Sequence, residues 1–104
     1  MNREEILKIP AGKKMNQLIW WKIFDMTPEP LNNDMNFLPD YSGDMNAAWI
    51  IVKKLGKGVF RLELGARNAT VEFIGYSKTK VVVYGDEDVT PLAICRSALL
   101  CVLE

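Results

Sequence analysis

The sequence predicts one α+β domain, a three-layer α/β/α sandwich built around a small antiparallel three-stranded sheet. Three observations carry that prediction. Apolar residues recur at helical spacing in the first half and at the C-terminus, whereas the stretch between them reads as short strands. Gly58, Gly65, Gly75 and Gly85 bound those strands and leave only hairpin-length connections between them. The third strand, Val81-Val82-Val83-Tyr84, is apolar at every position, as a strand covered on both faces by helices would be.

Taken in order, Asn2 caps a short turn over Arg3 to Leu7, with Glu4 and Glu5 at its positive end. Pro10 breaks that turn and suits the first position of a helix over about 10–24, whose Met15, Leu18, Ile19 and Ile23 share one face. Residues 25–41 read as an acidic loop rich in proline and asparagine. Ser42 is expected to cap a second helix at about 43–55, with Asp44 in its first turn. Its apolar stripe comprises Met45, Ala48, Trp49, Val52 and Leu55, widened by Ile51. Strands follow at about 59–64, 70–74 and 80–84. A meander would place the second strand centrally, although the third looks the more buried; a helix or a partner subunit covering the third would reconcile the two. Thr90-Pro91 then reads as an N-cap and first helical residue, opening a last helix at about 91–102.

Residues 1–104 form a single domain in this reading, large enough to bury about two-thirds of its unfolded surface. Thirteen basic and thirteen acidic residues cancel, which argues against nucleic acid or an anionic membrane as a partner. The neutral total resolves into successive blocks of +3, −5, +5 and −3 over residues 1–24, 25–46, 47–84 and 85–104. Such alternation lets oppositely charged surfaces meet within one domain. A basic sheet edge for a polyanion, using Lys53, Lys54, Lys57, Arg61, Arg67, Lys78 and Lys80, is the sharper alternative, but no nucleic-acid motif accompanies it.

No histidine is present, so Ser-His-Asp and Cys-His catalysis and histidine-ligated zinc are excluded. No nucleophile–base pair, phosphate-binding glycine run or cofactor motif is visible, and the expectation is a non-enzymatic protein without cofactor or metal. Asp34, Asp40 and Asp44 lack the spacing of a calcium loop. Asp86, Glu87 and Asp88 are expected near the positive end of the last helix. Cys95 and Cys101 fall on different faces of that helix and read as small buried hydrophobes of a reducing cytoplasm. No apolar run reaches membrane-spanning length, so a cytoplasmic location is expected.

Two features point to specific roles. Arg96 falls inside the apolar stripe of the last helix, among Leu92, Leu99, Leu100 and Leu103, and a guanidinium there needs a partner. A structural ion pair is expected, with Asp44 as first choice and Asp40 as second; an anion-binding arginine in a pocket is the alternative. Apolar residues also exceed what one core consumes. Trp20 and Trp21 are adjacent on a helix, Ile50 projects away from its stripe, and ten of the twelve residues from Leu92 to Leu103 are apolar. The surplus makes Trp20, Trp21 and Ile50 candidates for a protein interface, with a homodimer its commonest form.

Several segments together resemble the phage ABA sandwich domain family. They are Pro10-Ala11-Gly12, then Tyr41-Ser42-Gly43-Asp44 with Ala47-Ala48-Trp49 and Val52-Lys53-Lys54-Leu55, then Thr90-Pro91-Leu92-Ala93-Ile94-Cys95-Arg96-Ser97-Ala98-Leu99-Leu100. The resemblance spans nearly the whole chain and departs at Gly43 and Ile50, where the family pattern has a threonine and an acid. It implies an α/β/α architecture and an origin in a phage or prophage, and brings no activity. The function expected is therefore that of an interaction protein binding a host or phage protein, as accessory or host modulator. The alternative is a binder of a small anionic ligand.

Overall fold

A computed structural model describes residues 2–25, 38–55, 59–74, 79–86 and 88–103. The predicted loop is described only at its two ends, and Asp34, Lys57, Lys78 and Glu87 lie outside the described residues. The elements are α1 (Arg3–Lys8), α2 (Lys13–Lys22), α3 (Met45–Leu55), β1 (Val59–Leu64), β2 (Asn68–Ile74), β3 (Val81–Tyr84) and α4 (Thr90–Leu103). Among the described residues, four helices and an open three-stranded antiparallel sheet make this an α+β fold.

α1 starts as its sequence dictates. The Asn2 side chain accepts from the Glu5 N–H at 2.9 Å, and the Glu5 carboxylate accepts from the Asn2 N–H at 3.3 Å, a reciprocal capping box. It stops at Lys8 because Pro10 forces Ile9 out of helical geometry, to φ −72° and ψ 120°. Pro10 does not open α2. Gly12 occupies the N-cap instead, at φ 142° and ψ −166°, a conformation open only to glycine, and its carbonyl accepts the first helical bond from Asn16. The reversal between α1 and α2 thus consumes Pro10 and Ala11.

α3 is capped by Asp44 rather than Ser42. The Asp44 carboxylate accepts from the Asn46 N–H at 3.0 Å, and its carbonyl accepts from Ala48 at 2.9 Å. Its buried side is also rotated from the predicted stripe. Ala47, Ala48 and Ile51 are buried, whereas Trp49 is 39% exposed. Two adjacent alanines let α3 approach α4 closely, and that approach turns Trp49 toward the rim.

The sheet order is β1-β2-β3, with Leu62 opposite Val71 and Val71 opposite Val81. Opposite residues share a face, so Phe60, Leu62, Ala69, Val71, Phe73, Val81 and Val83 all point to one side, where α4 packs. The other face carries Arg61, Glu63, Thr70, Glu72, Val82 and Tyr84. The expectation that β3 is covered on both faces therefore fails among the described residues. Val81 and Val83 are buried, but Val82 is 40% and Tyr84 73% exposed. The central strand is β2, as a meander requires. Just before β3, the Thr79 hydroxyl both accepts from the Phe73 N–H and donates to its carbonyl, standing in for a ladder residue. Ser97 on α4 donates to the Thr79 carbonyl at 2.6 Å.

α4 accounts for most of the apolar surplus. It contacts the sheet on one side and α1, α2 and α3 on others, so it is buried around nearly its whole girth. Small residues at Ala93, Cys95, Ser97, Ala98 and Cys101 permit that many close neighbours. The helix begins one residue earlier than predicted: Asp88 accepts from the Thr90 N–H at 3.0 Å, and the Val89 carbonyl receives Ala93.

Candidate functional site

Arg96 points neither at Asp44 nor at Asp40. Its Nη2 and Nε donate to the Ile9 carbonyl at 2.9 and 3.3 Å. The chemistry explains the choice. Ile9 is the C-cap of α1, where helix geometry leaves carbonyls unpaired and the dipole is negative. A guanidinium half-buried on α4 fits there, while Asp44 is occupied as the α3 cap. Desolvation lowers the Arg96 pKa from its ordinary value, yet guanidinium stays protonated. The arginine is thus a strut from α4 to the α1–α2 corner.

Asp40 belongs to a second polar cluster. Its carboxylate accepts from the Asn16 amide at 3.0 Å. The Asn16 carbonyl oxygen in turn accepts from the Ser42 N–H at 3.0 Å and from its hydroxyl at 2.8 Å. Ser42 Oγ accepts from the Gly12 N–H at 2.9 Å, so the residue expected to cap α3 instead satisfies the start of α2. A Cβ at Gly43 would strike the Asp40 carboxylate, which keeps this turn small. With both polar atoms of Ser42 committed, the cluster serves as a structural joint.

The cysteines are free and buried, and burial in the core pushes the Cys95 thiol upward. Tyr41, stacked on Phe24 with ring centroids 5.4 Å apart, is likewise raised by burial. Neither group is placed for nucleophilic chemistry. Among the described residues, no three metal-ligating side chains gather, and no helix is long and apolar enough to cross a membrane.

Of the three interface candidates, Trp20 is half-buried, Trp21 is 43% exposed and Ile50 is 44% exposed. The Lys22 ammonium sits 3.9 Å from the Trp21 ring centroid and covers part of that ring. Ile50 is less shielded. Beside it stands Trp49, whose ring meets Phe60 edge-on at 5.8 Å; Phe60 packs on Phe73 at 5.3 Å. This aromatic ladder runs from the core to the outer face of α3 and holds Trp49 in place. Asn46, Lys53 and Lys54 complete that face, each exposed. Sequence periodicity misses Trp49 as a surface residue, and the Ala47-Ala48 pair is the signal that could have found it.

Two depressions adjoin these features. One, of about 470 Å³, lies at the end of the sheet between the β1–β2 turn and the β3–α4 connection. Leu62 and Val89 line it, and the exposed Arg67–Asp86 pair, at 3.6 Å, stands at its rim. The other, of about 310 Å³, is the α1–α2 corner lined by Glu5, Lys8, Ile9, Pro10 and Lys14. Arg96 reaches this corner from beneath, through its bond to Ile9.

Comparison with known proteins adds to this geometry. The model of the phage ABA sandwich domain matches residues 14–99. The 2.0 Å crystal structure of a phage protein from Bacillus cereus ATCC 14579 is similar with a TM-score of 0.65. The two are 24% identical, over 91% of this chain and 95% of that one, a likeness of fold. No curated protein matches.

Proposed function

The chain belongs to the phage ABA sandwich domain family, and from that premise we propose that it is a phage- or prophage-encoded interaction protein without enzymatic activity, working in the host cytoplasm. Its partner is a protein of the host or the phage, and the α3 face around Trp49 and Ile50 is where that partner binds. One observation carries the reading. Two large apolar side chains stand exposed side by side, one of them held by the aromatic ladder, with Lys53 and Lys54 along the same face. A rigid tryptophan beside an aliphatic residue is the usual composition of a binding hot spot, and the lysines suit an acidic partner surface. Trp21 and the half-buried Trp20 are secondary contributors on α2.

The test is affinity capture from infected host cells with the wild-type chain and with Ile50→Glu. A protein enriched by the wild type and lost with Ile50→Glu supports the reading. Equal enrichment by both sinks this surface.

A second reading, a binder of a small anionic ligand, draws on the α1–α2 corner. Lys8 and Lys14 line it, Arg96 braces it, and Glu5 is its one acid. Native mass spectrometry of the chain purified from infected cells checks it. A retained small molecule, lost on Lys14→Glu, would move the function to that corner.

A further inference from the structure

We infer that the outer edge of β3 is a self-recognition edge, where a second copy of the chain adds its own β3 antiparallel across a two-fold axis at Val83. The surface differs from the α3 face and does not depend on the partner-binding reading.

Among the described residues, β3 is paired on one side only. The bond from the Gly85 N–H to the Arg67 carbonyl, read with the β2–β3 register, settles which backbone groups face outward. Val81, Val83 and Gly85 turn theirs toward β2, so the N–H and C=O of Val82 and Tyr84 point away from the sheet. Though short, at four residues, the strand lacks the other usual guards of an edge. It has no proline and no charge between 81 and 84, and its register with β2 runs without a bulge.

The chain's own charges select a register. In an isologous antiparallel pair, opposite residues share a face, and three registers use the outward groups. The one centred on Tyr84 sets Val82 against the charged Asp86 of the second copy, and Lys80 against Asp88, which is already committed to the Thr90 N–H. Of the other two, the first sets Val82 against Val82 of the second copy. It needs the Lys80 carbonyl, which already accepts from Arg3 at 3.0 Å, and it sets Lys80 against a tyrosine. The second centres on Val83. Val82 then opposes Tyr84 of the second copy, each pair exchanging both backbone bonds, and Lys80 needs no carbonyl free. One step further along, Lys80 faces Asp86 of the second copy, an opposite-charge pair that the symmetry repeats. Both side chains are exposed, and among the described residues Asp86 is held only by the loose contact with Arg67. The same register lays Tyr84, 73% exposed, across Val82, 40% exposed, on the solvent face of the joined sheet. Charge and shape thus agree on one arrangement.

Sedimentation equilibrium of the purified full chain is the test. The expected species has twice the 11.8 kDa protomer mass. Val82→Pro removes only an outward N–H, leaving the β2 ladder intact, and raises the dimer dissociation constant at least about tenfold with unchanged circular dichroism. Lys80→Glu and Asp86→Lys each weaken the dimer by about tenfold, and the double variant recovers to within about threefold of wild type. The charge variants decide the matter if Val82→Pro does not fold. A wild-type chain that stays monomeric to about millimolar concentration overturns the inference. So does a double variant no better than its singles.

Discussion

A guanidinium on the most enclosed helix is tolerated because α1 ends against it with an open carbonyl. Arg96→Met removes a charged donor and strands that carbonyl, with an expected loss of about 1–2 kcal/mol, the upper range discounted for partial exposure. Urea denaturation reads it, and Arg96→Lys recovers part, since one ammonium cannot match the paired donors. The buried thiol and phenol carry a pH prediction. Cys95 and Tyr41 are both raised by burial, so the folded chain keeps protons that the unfolded chain releases. Their contribution is full below the ordinary values and declines as pH rises past about 9. Thermal melts from pH 7 to 11 are expected to show that decline, reduced in Cys95→Ala. At this scale the sequence showed that Arg96 needs a partner without revealing which. A backbone carbonyl has no signature in side-chain identity, and Asp44 looked equally available until α3 took it as a cap.

Among the elements, Asp44 takes the α3 cap expected of Ser42, and Ser42 serves the start of α2 instead. Ser42 and Asp44 are both competent N-caps, and spacing alone does not choose between them. The choice is made by α2, whose first amides need an acceptor at the position Ser42 reaches. Asp44→Ala should therefore cost about 1 kcal/mol, the ordinary value of a lost cap. Ser42→Ala should cost more, about 2 kcal/mol, because it leaves the part-buried Gly12 N–H without its acceptor and strips a buried donor from Asn16. The reverse order in chemical denaturation would show that Ser42 is the cap after all. Gly12 follows the same logic: α2 begins there because only glycine takes that backbone, and the proline two residues earlier serves the end of α1 instead.

For the whole molecule, one packing decision sets the surface. α4 fills the space between the sheet and the other helices, which absorbs the apolar run that sequence reasoning assigned partly to an interface. Surplus apolar surface remains elsewhere, on α3 and on the free side of β3. Ile50→Glu should shift stability by no more than about 0.5 kcal/mol, as exposed substitutions do, while abolishing partner capture. A large loss of stability in this variant would mean that Ile50 is core and the α3 face is not a binding surface.

Element order and the apolar character of α4 were legible from the sequence, because periodicity and glycine–proline punctuation are local properties. The phage-family kinship was legible too, carried by whole segments rather than by single residues. Layering was not. An apolar strand reads the same whether a helix covers its second face or water does, and in β3 the tertiary structure leaves Val82 and Tyr84 outside. The rotation of α3 and the destination of Arg96 were likewise decided only in three dimensions. Each depends on which neighbour comes close enough to compete for a side chain, and that distance is set by packing around α4.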